Sequence, residues 1–319
     1  MPTSSHRGAT VPVSPFRKFA VLAERAKAQG KTVYHLNIGQ PDIETPGAAL
    51  QALRDSRLKI IEYPPAEGLV SYRQKLVEYY RRFAVALTPD EIIVTTGASE
   101  GLYFTMLACF EPGEEVIIPE PFYANYNGFA HMAGVRVKPI TSDISTGFAL
   151  PSIEEFEQAI TPSTKAILIC NPNNPTGCFY PKSSLEALAK LTKKHDLFLI
   201  ADEVYREFCF DGQEFTSILS MPELEEHAIV VDSISKRYSA CGARVGAVAT
   251  RNASVLAAVS RYAKLRLGAP TLEQMLAEAM LERDTDYLSD VKAEYDQRRR
   301  VVYERLRQMP GVTCYLPGG

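Results

Sequence analysis

Lys236, in the run Asp232-Ser233-Ile234-Ser235-Lys236, follows the apolar stretch Ala228-Ile229-Val230-Val231 and precedes Gly242 and Arg244. A lysine amine at the end of a buried strand is a candidate for covalent chemistry, because desolvation and neighbouring positive charge favour the neutral, nucleophilic form. A neutral amine is what an aldehyde cofactor needs in order to form an imine. Ser233, Ser235 and Arg244 carry the hydroxyls and the guanidinium that could hold a phosphate. Ser-x-Ser-Lys strings also occur by chance in solvated turns, so the weight of this one rests on its company.

Two more polar clusters close apolar runs in the same way. Ala201-Asp202-Glu203-Val204-Tyr205 follows Leu197-Phe198-Leu199-Ile200, and Asn171-Pro172-Asn173-Asn174-Pro175-Thr176-Gly177 follows Ala166-Ile167-Leu168-Ile169. Polar clusters at the carboxyl ends of parallel strands mark the edge where open α/β sheets place their ligands. The ordered set, with Arg244 eight residues after the lysine, resembles the class I/II aminotransferases of the aspartate aminotransferase type, which are fold-type I enzymes dependent on pyridoxal 5'-phosphate (PLP). The resemblance runs from about Leu36 to the end of the chain.

The resemblance implies a role for each motif. Lys236, Asp202 and Tyr205 become the catalytic set, with the Asp202 carboxylate keeping the PLP ring nitrogen protonated. Asn174 and Tyr205 would donate to the ring's phenolate oxygen, and Tyr123 would stack on the ring. Gly97, Ala98 and Ser99, at a helix start with Ser99 as N-cap, would cradle the phosphate together with Ser233, Ser235 and Arg244. Gly39 and Asn174 would approach the substrate. Tyr63 would reach the phosphate of a neighbouring subunit, which implies a homodimer with shared sites. Taken singly, these residues stay open to plainer readings. A strand-end Asp caps turns or binds metal through water, Asn-Pro starts turns, a Gly-x-Ser junction needs no ligand, and an aromatic after a strand packs in a core. Glu203 is expected to point away from Asp202 as a surface or supporting residue.

Composition fits that reading. The chain has 319 residues and a net charge of -3 with dispersed basic residues, so neither nucleic acid nor a membrane is expected as a partner. Met1 to Thr10 is polar and does not read as a signal peptide. The 6 cysteines lack paired spacing, which argues against a disulfide framework and against a metal site, and makes a cytoplasmic enzyme the expectation.

The elements that must position these residues follow from periodicity. Strands are predicted over Glu91 to Thr96, Glu115 to Pro119, Val135 to Ile140, Lys165 to Cys170, Leu197 to Asp202, Ala228 to Asp232 and Arg244 to Thr250. Helices are predicted over Ser99 to Phe110, Tyr123 to Ala133, Ile153 to Ile160 and Lys182 to His195. This alternation predicts an α/β fold, a three-layer α/β/α large domain around a mostly parallel sheet. The resemblance implies seven strands, the last antiparallel, and a small α+β domain. Pro15 to Gly30 and Asp284 to Gln308 read as amphipathic helices. Residues 1–45 are expected to form an N-terminal arm and part of the small domain, 46–283 the large PLP-binding domain, and 284–319 a linking helix and an incomplete remainder of the small domain. The arginine that orients a substrate carboxylate in the family would then lie beyond Gly319, with Arg298, Arg299 and Arg300 on a solvated charged face.

The expected activity is transfer of an amino group from an L-amino acid, aspartate first among candidates, to a 2-oxo acid such as 2-oxoglutarate, with ping-pong kinetics. A PLP-dependent C-S β-lyase of the same fold and a non-catalytic ligand-binding domain are the alternatives.

Overall fold

The computed structural model describes residues 2–12, 19–282 and 285–319, apart from the side chain of Thr285. In chain order, helices α1 (His6–Thr10), α2 (Ala20–Ala28), α3 (Gly47–Arg54) and α4 (Val70–Arg81) lead into strand β1 (Ile92–Thr95). Then come α5 (Gly97–Cys109), β2 (Glu115–Glu120), α6 (Asn125–Ala133), β3 (Arg136–Thr141), α7 (Ile153–Ala159), β4 (Thr164–Cys170), α8 (Lys182–Lys194) and β5 (Phe198–Asp202). The chain continues through β6 (Ala228–Ser233), α9 (Ile234–Arg237), β7 (Gly246–Thr250), α10 (Ala253–Arg266), α11 (Thr271–Glu282) and α12 (Thr285–Leu306).

The seven strands form one sheet in the order β1-β7-β6-β5-β4-β2-β3. Only β7 runs antiparallel to its neighbours, as the resemblance implied. Strand alternation divides the core. Val94, Ile167, Leu199, Ala201 and Val230 point to the face covered by α4, α8 and α11. Ile93, Leu168, Ile200, Ile229 and Val231 point to the face covered by α5, α6 and α10. Burial on both faces explains why these strands read as continuous apolar runs.

Three consequences of this topology matter for the site. All strands but β7 end at one edge, so the polar clusters after β1, β2, β4, β5 and β6 converge there. Because β7 runs the other way, its first residue is at that same edge, where Gly246 pairs with both Thr95 and Ser233. Alternation then sends Asp202 and Ser233 toward the α5/α6 face, and Glu203 and Asp232 toward the α4/α8 face.

The predicted strands form within two residues of their expected limits. Part of the expected Pro15 to Gly30 helix lies outside the described residues; what is described is α2. The expected division at residues 283 and 284 also lies outside them. Helices α4, α10 and α11 lack a polar motif to announce them, yet they cover much of the sheet.

Candidate active site

Lys236 lies in α9, the single turn that follows β6, rather than at the strand end itself. Ser233 caps this turn, its hydroxyl accepting from Ser235 N at 3.1 Å and donating to Val245 O at 2.8 Å. The Ser235 hydroxyl lies 2.7 Å from that of Ser233, so the two serines are coupled to each other and to the residue that precedes β7. The half-buried Lys236 amine donates to Gly39 O at 2.6 Å and lies 6.0 Å from the Tyr205 ring centroid. It stands on the wall of a cavity of about 540 Å³ that Gly39, Tyr205, Tyr295 and Arg298 also line.

Asp202 is buried at the end of β5, where Tyr126 Oη donates to its Oδ2 at 2.8 Å and Val204 N to its Oδ1 at 3.3 Å. Burial pushes its carboxyl up to about 6, against the pull of those two hydrogen bonds; the Asp232 charge adds to the rise and the Lys236 charge opposes it. Neither direct partner brings a full positive charge. A protonated ring nitrogen is the group this carboxyl lacks, so the donor set fits PLP. Asn174 Nδ2 donates to Tyr205 Oη at 3.2 Å, and burial keeps the Tyr205 phenol protonated well above its ordinary range. A protonated phenol and a side-chain amide are donors for a phenolate oxygen.

The backbone shapes the start of α5 into a place where a phosphate would fit. Gly97 has φ +73° and is the first residue of α5, and a Cβ there would stand 2.4 Å from Arg244 Nη2. Only glycine lets the guanidinium lie against the helix start. Arg244 donates to Cys241 O at 3.1 Å and Thr96 O at 3.4 Å, facing the start of a helix of 13 residues, where helix geometry leaves the first N–H groups without an intrahelical partner. The expected N-cap at Ser99 is not observed. The left-handed turn at Gly97 starts the helix earlier, Thr96 occupies the cap, and the Glu100 carboxylate accepts Thr96 N at 2.8 Å. Ser99 sits in the first turn beside Ala98.

Tyr123 comes at the end of the β2 loop, its ring edge-on to Tyr126 at 5.5 Å and its hydroxyl accepting from Asn125 at 2.7 Å. Tyr63 stands apart on the loop before α4 and is 81% exposed. Tyr126 and Cys241 were missed by the sequence reading. Tyr126 carried one usable signal, a tyrosine three residues after Tyr123 on a helix that starts at the sheet edge. Cys241, whose Sγ is 3.9 Å from Lys236 Nζ and donates to Ser235 O at 3.2 Å, carried none.

Glu203 points away from Asp202 as expected, and of the two places expected for it the surface is not the one observed: it is 1% exposed, accepts from Ser217 Oγ at 3.0 Å and Ile218 N at 3.1 Å, and pairs with Arg206. Nor do the α12 arginines form a uniformly solvated face. The Arg299 side chain is 6% exposed and grips both oxygens of Asp211, at 2.7 and 2.9 Å. Arg298 reaches Asp42 at 2.6 Å, while Arg300 keeps the expected exposure. The Asp211 carboxylate helps to draw the planar Arg299 guanidinium out of water, while Arg298 stays exposed beside Asp42.

The model of the family "Aminotransferase class I and II" matches residues 31–319. The arginine–pyruvate transaminase AruH of Pseudomonas aeruginosa is 35% identical over 91% of this chain and 74% of its own length. The aspartate/prephenate aminotransferase of Thermus thermophilus is 32% identical over 98% of this chain and 83% of its own. The crystal structure of aspartate aminotransferase from Thermotoga maritima superposes with a TM-score of 0.92 at 32% identity, covering 99% of this chain and 83% of that one. With the lysine, the buried carboxyl and the Arg244-flanked start of α5 gathered at one sheet edge, the chain belongs to the class I and II aminotransferases, transaminases that depend on PLP.

Proposed function

We propose that this protein moves an amino group from an L-amino acid, aspartate first, to a 2-oxo acid, 2-oxoglutarate first, and that Lys236 is its cofactor-bearing lysine. Two similar proteins are named for aspartate and one for arginine, which supports aspartate as the first donor to try. The observation that carries the assignment is the convergence of Lys236 with a buried Asp202 and the Asn174–Tyr205 pair at one edge.

PLP supplies an electron sink for the bond to the substrate's α-hydrogen. The residues supply the rest. Asp202 would hold the protonated ring nitrogen, with Tyr126 fixing the carboxylate. Asn174 and Tyr205 would offer hydrogens to the ring oxygen. The start of α5 and Arg244 would hold the phosphate, and Ser233 and Ser235 brace α9. Gly39 O holds the Lys236 amine at the cavity wall, where Nζ takes the α-proton and returns it as general base and acid. Regenerating the starting form with a second substrate gives ping-pong kinetics. Tyr63 and the neighbouring Ile60 and Ile61, all largely exposed, support a homodimer in which each subunit completes the other's site.

A panel of amino donors against 2-oxoglutarate tests the substrate reading, and borohydride fixation followed by peptide mapping tests the lysine. Fixation on the Lys236 peptide and fastest turnover with aspartate are expected. Fixation on another lysine, or release of pyruvate and ammonia from cysteine in place of transamination, would overturn the reading.

A further inference from the structure

Behind the sheet edge, on the face opposite the cofactor site, lie four charged side chains almost removed from water. Glu203, Arg206, Asp232 and Arg237 are each 1% exposed. Arg237 Nη1 contacts both oxygens of Asp232, at 2.8 and 3.0 Å. Arg206 Nη2 lies 3.0 Å from Glu203 Oε2 and 3.8 Å from Asp232 Oδ2, so it links the two carboxylates. Its contact with Glu203 is a charge contact without hydrogen-bond geometry. The guanidiniums lie over tyrosine rings of α4, Arg237 at 4.3 Å from Tyr79 and Arg206 at 4.7 Å from Tyr80.

Each member of this cluster is the chain neighbour of a candidate active-site residue. Glu203 follows Asp202, Arg206 follows Tyr205, Asp232 precedes Ser233, and Arg237 follows Lys236. On β5 and β6 the pairing is a consequence of alternation, which sends adjacent side chains to opposite faces. Stability alone is a poor reason for such a cluster, since removing an ion from water costs several kcal/mol and apolar side chains of similar volume often serve as well.

We propose that Arg206 and Arg237 are positioning residues of the active site: with Glu203 and Asp232 they form a charge-balanced brace that fixes the placement of Lys236 and Asp202 and the electric field they feel. The backbone connects the two sides. Glu203 N donates to Val231 O at 2.9 Å, and the Asp232 carboxylate accepts Ser233 N at 2.7 Å, so the brace holds the chain on both sides of the cofactor edge. Its charge reaches across as well. Burial pushes Asp232 up, but the Arg206 and Arg237 charges overcome it and hold its carboxyl below the usual range. Asp232 therefore stays ionised, and the guanidiniums balance a charge that would otherwise oppose ionisation of Asp202.

The groups whose charge or hydrogen bond reaches Asp202 are Tyr126 on α6, Lys236 on α9, Cys170 on β4 and Tyr205 beyond β5, and, from the opposite face of the sheet, Asp232 on β6. Those facing the brace from α4 are Tyr72, Tyr79 and Tyr80, with Glu207 behind Tyr79 and Glu278 of α11 near Tyr72. Among the described residues, the positive groups in contact with Asp232 are Arg206 and Arg237.

The inference rests on the assignment of Lys236 and Asp202 to the cofactor, so the parent holoprotein is first fixed with borohydride. Fixation away from Lys236 overturns both that assignment and the brace. With Lys236 labelled, the pH midpoint of the bound cofactor's visible absorbance is compared among the parent, Arg237→Met, Arg237→Lys and the double variant Asp232→Asn/Arg237→Met. Arg237→Met leaves negative charge uncompensated, so its midpoint should rise by at least about half a unit and its kcat fall about tenfold with KM nearly unchanged. Arg237→Lys should stay near the parent, and the double variant should return the midpoint toward it. If Arg237→Met does not fold, the double variant and Arg237→Lys carry the test. A midpoint unchanged in Arg237→Met, or equally displaced in Arg237→Lys and the double variant, would overturn the brace and leave a merely structural cluster.

Discussion

The guanidinium of Arg244 occupies the space that a side chain on Gly97 would need. A Cβ built at Gly97 falls 2.4 Å from Nη2 and 2.8 Å from Cζ. Gly97 opens α5 and Arg244 precedes β7, 147 positions apart in sequence (244 minus 97), and the antiparallel β7 brings them together.

Gly97→Ala should therefore weaken the cofactor before it weakens the fold. The left-handed φ costs an alanine about 1 kcal/mol, and Arg244 must swing away from the helix start. We expect PLP affinity of the apoprotein, read by fluorescence titration, to fall at least about tenfold while the thermal midpoint changes little. Undiminished affinity would remove Arg244 and the α5 start from the phosphate site.

Asp202→Asn separates two effects. Turnover should drop about 10²- to 10³-fold, the size of a lost electrostatic contact to the reacting system. The apoprotein gives an independent reading. Folding raises Asp202 from 3.8 to about 6, so the folded chain binds a proton that the unfolded chain releases. The resulting stability is present below about pH 4 and is lost as pH rises through about 6, a change of about 3 kcal/mol. Denaturant unfolding of apoprotein at pH 4.5 and 7.5 should show about 2 kcal/mol of this loss in the parent and a shallower change in Asp202→Asn. Equal slopes would mean that Asp202 is not raised.

Tyr126→Phe removes the hydroxyl that holds Asp202 Oδ2 at 2.8 Å. A hydrogen bond to a buried carboxylate contributes about 1.5–3 kcal/mol, so kcat should fall about tenfold or more and the Asp202-dependent pH slope of the apoprotein should steepen. Parent-like kcat would show that the ring nitrogen, once bound, orients the carboxylate unaided.

Subunit mixing tests Tyr63. A dimer of Tyr63→Ala and Lys236→Ala subunits contains one site with both residues intact if Tyr63 acts across the interface. Random reassociation of equal amounts should then recover about a quarter of parental activity from two weakly active preparations. Activity that never exceeds the average of the two homodimers would confine Tyr63 to its own subunit.

Much of this protein is determined by sequence alone. The strands are buried on both faces, so Ala166 to Ile169 and Leu197 to Ile200 appear as unbroken apolar runs, and the residues that end them are polar because they leave the sheet. That is why Asn174, Asp202, Tyr205 and Lys236 stood out together. What the sequence left undecided is carried by contacts between distant elements. Tyr126 reaches Asp202 only because α6 packs beside the end of β5, and Arg244 reaches Gly97 only because β7 reverses direction. Glu203 reads as a surface or supporting residue and Arg299 as solvent-facing, because local spacing gives the direction of a side chain but not what meets it there. Arg206 awaits the one and Asp211 the other, and those charges set burial that no local pattern predicts.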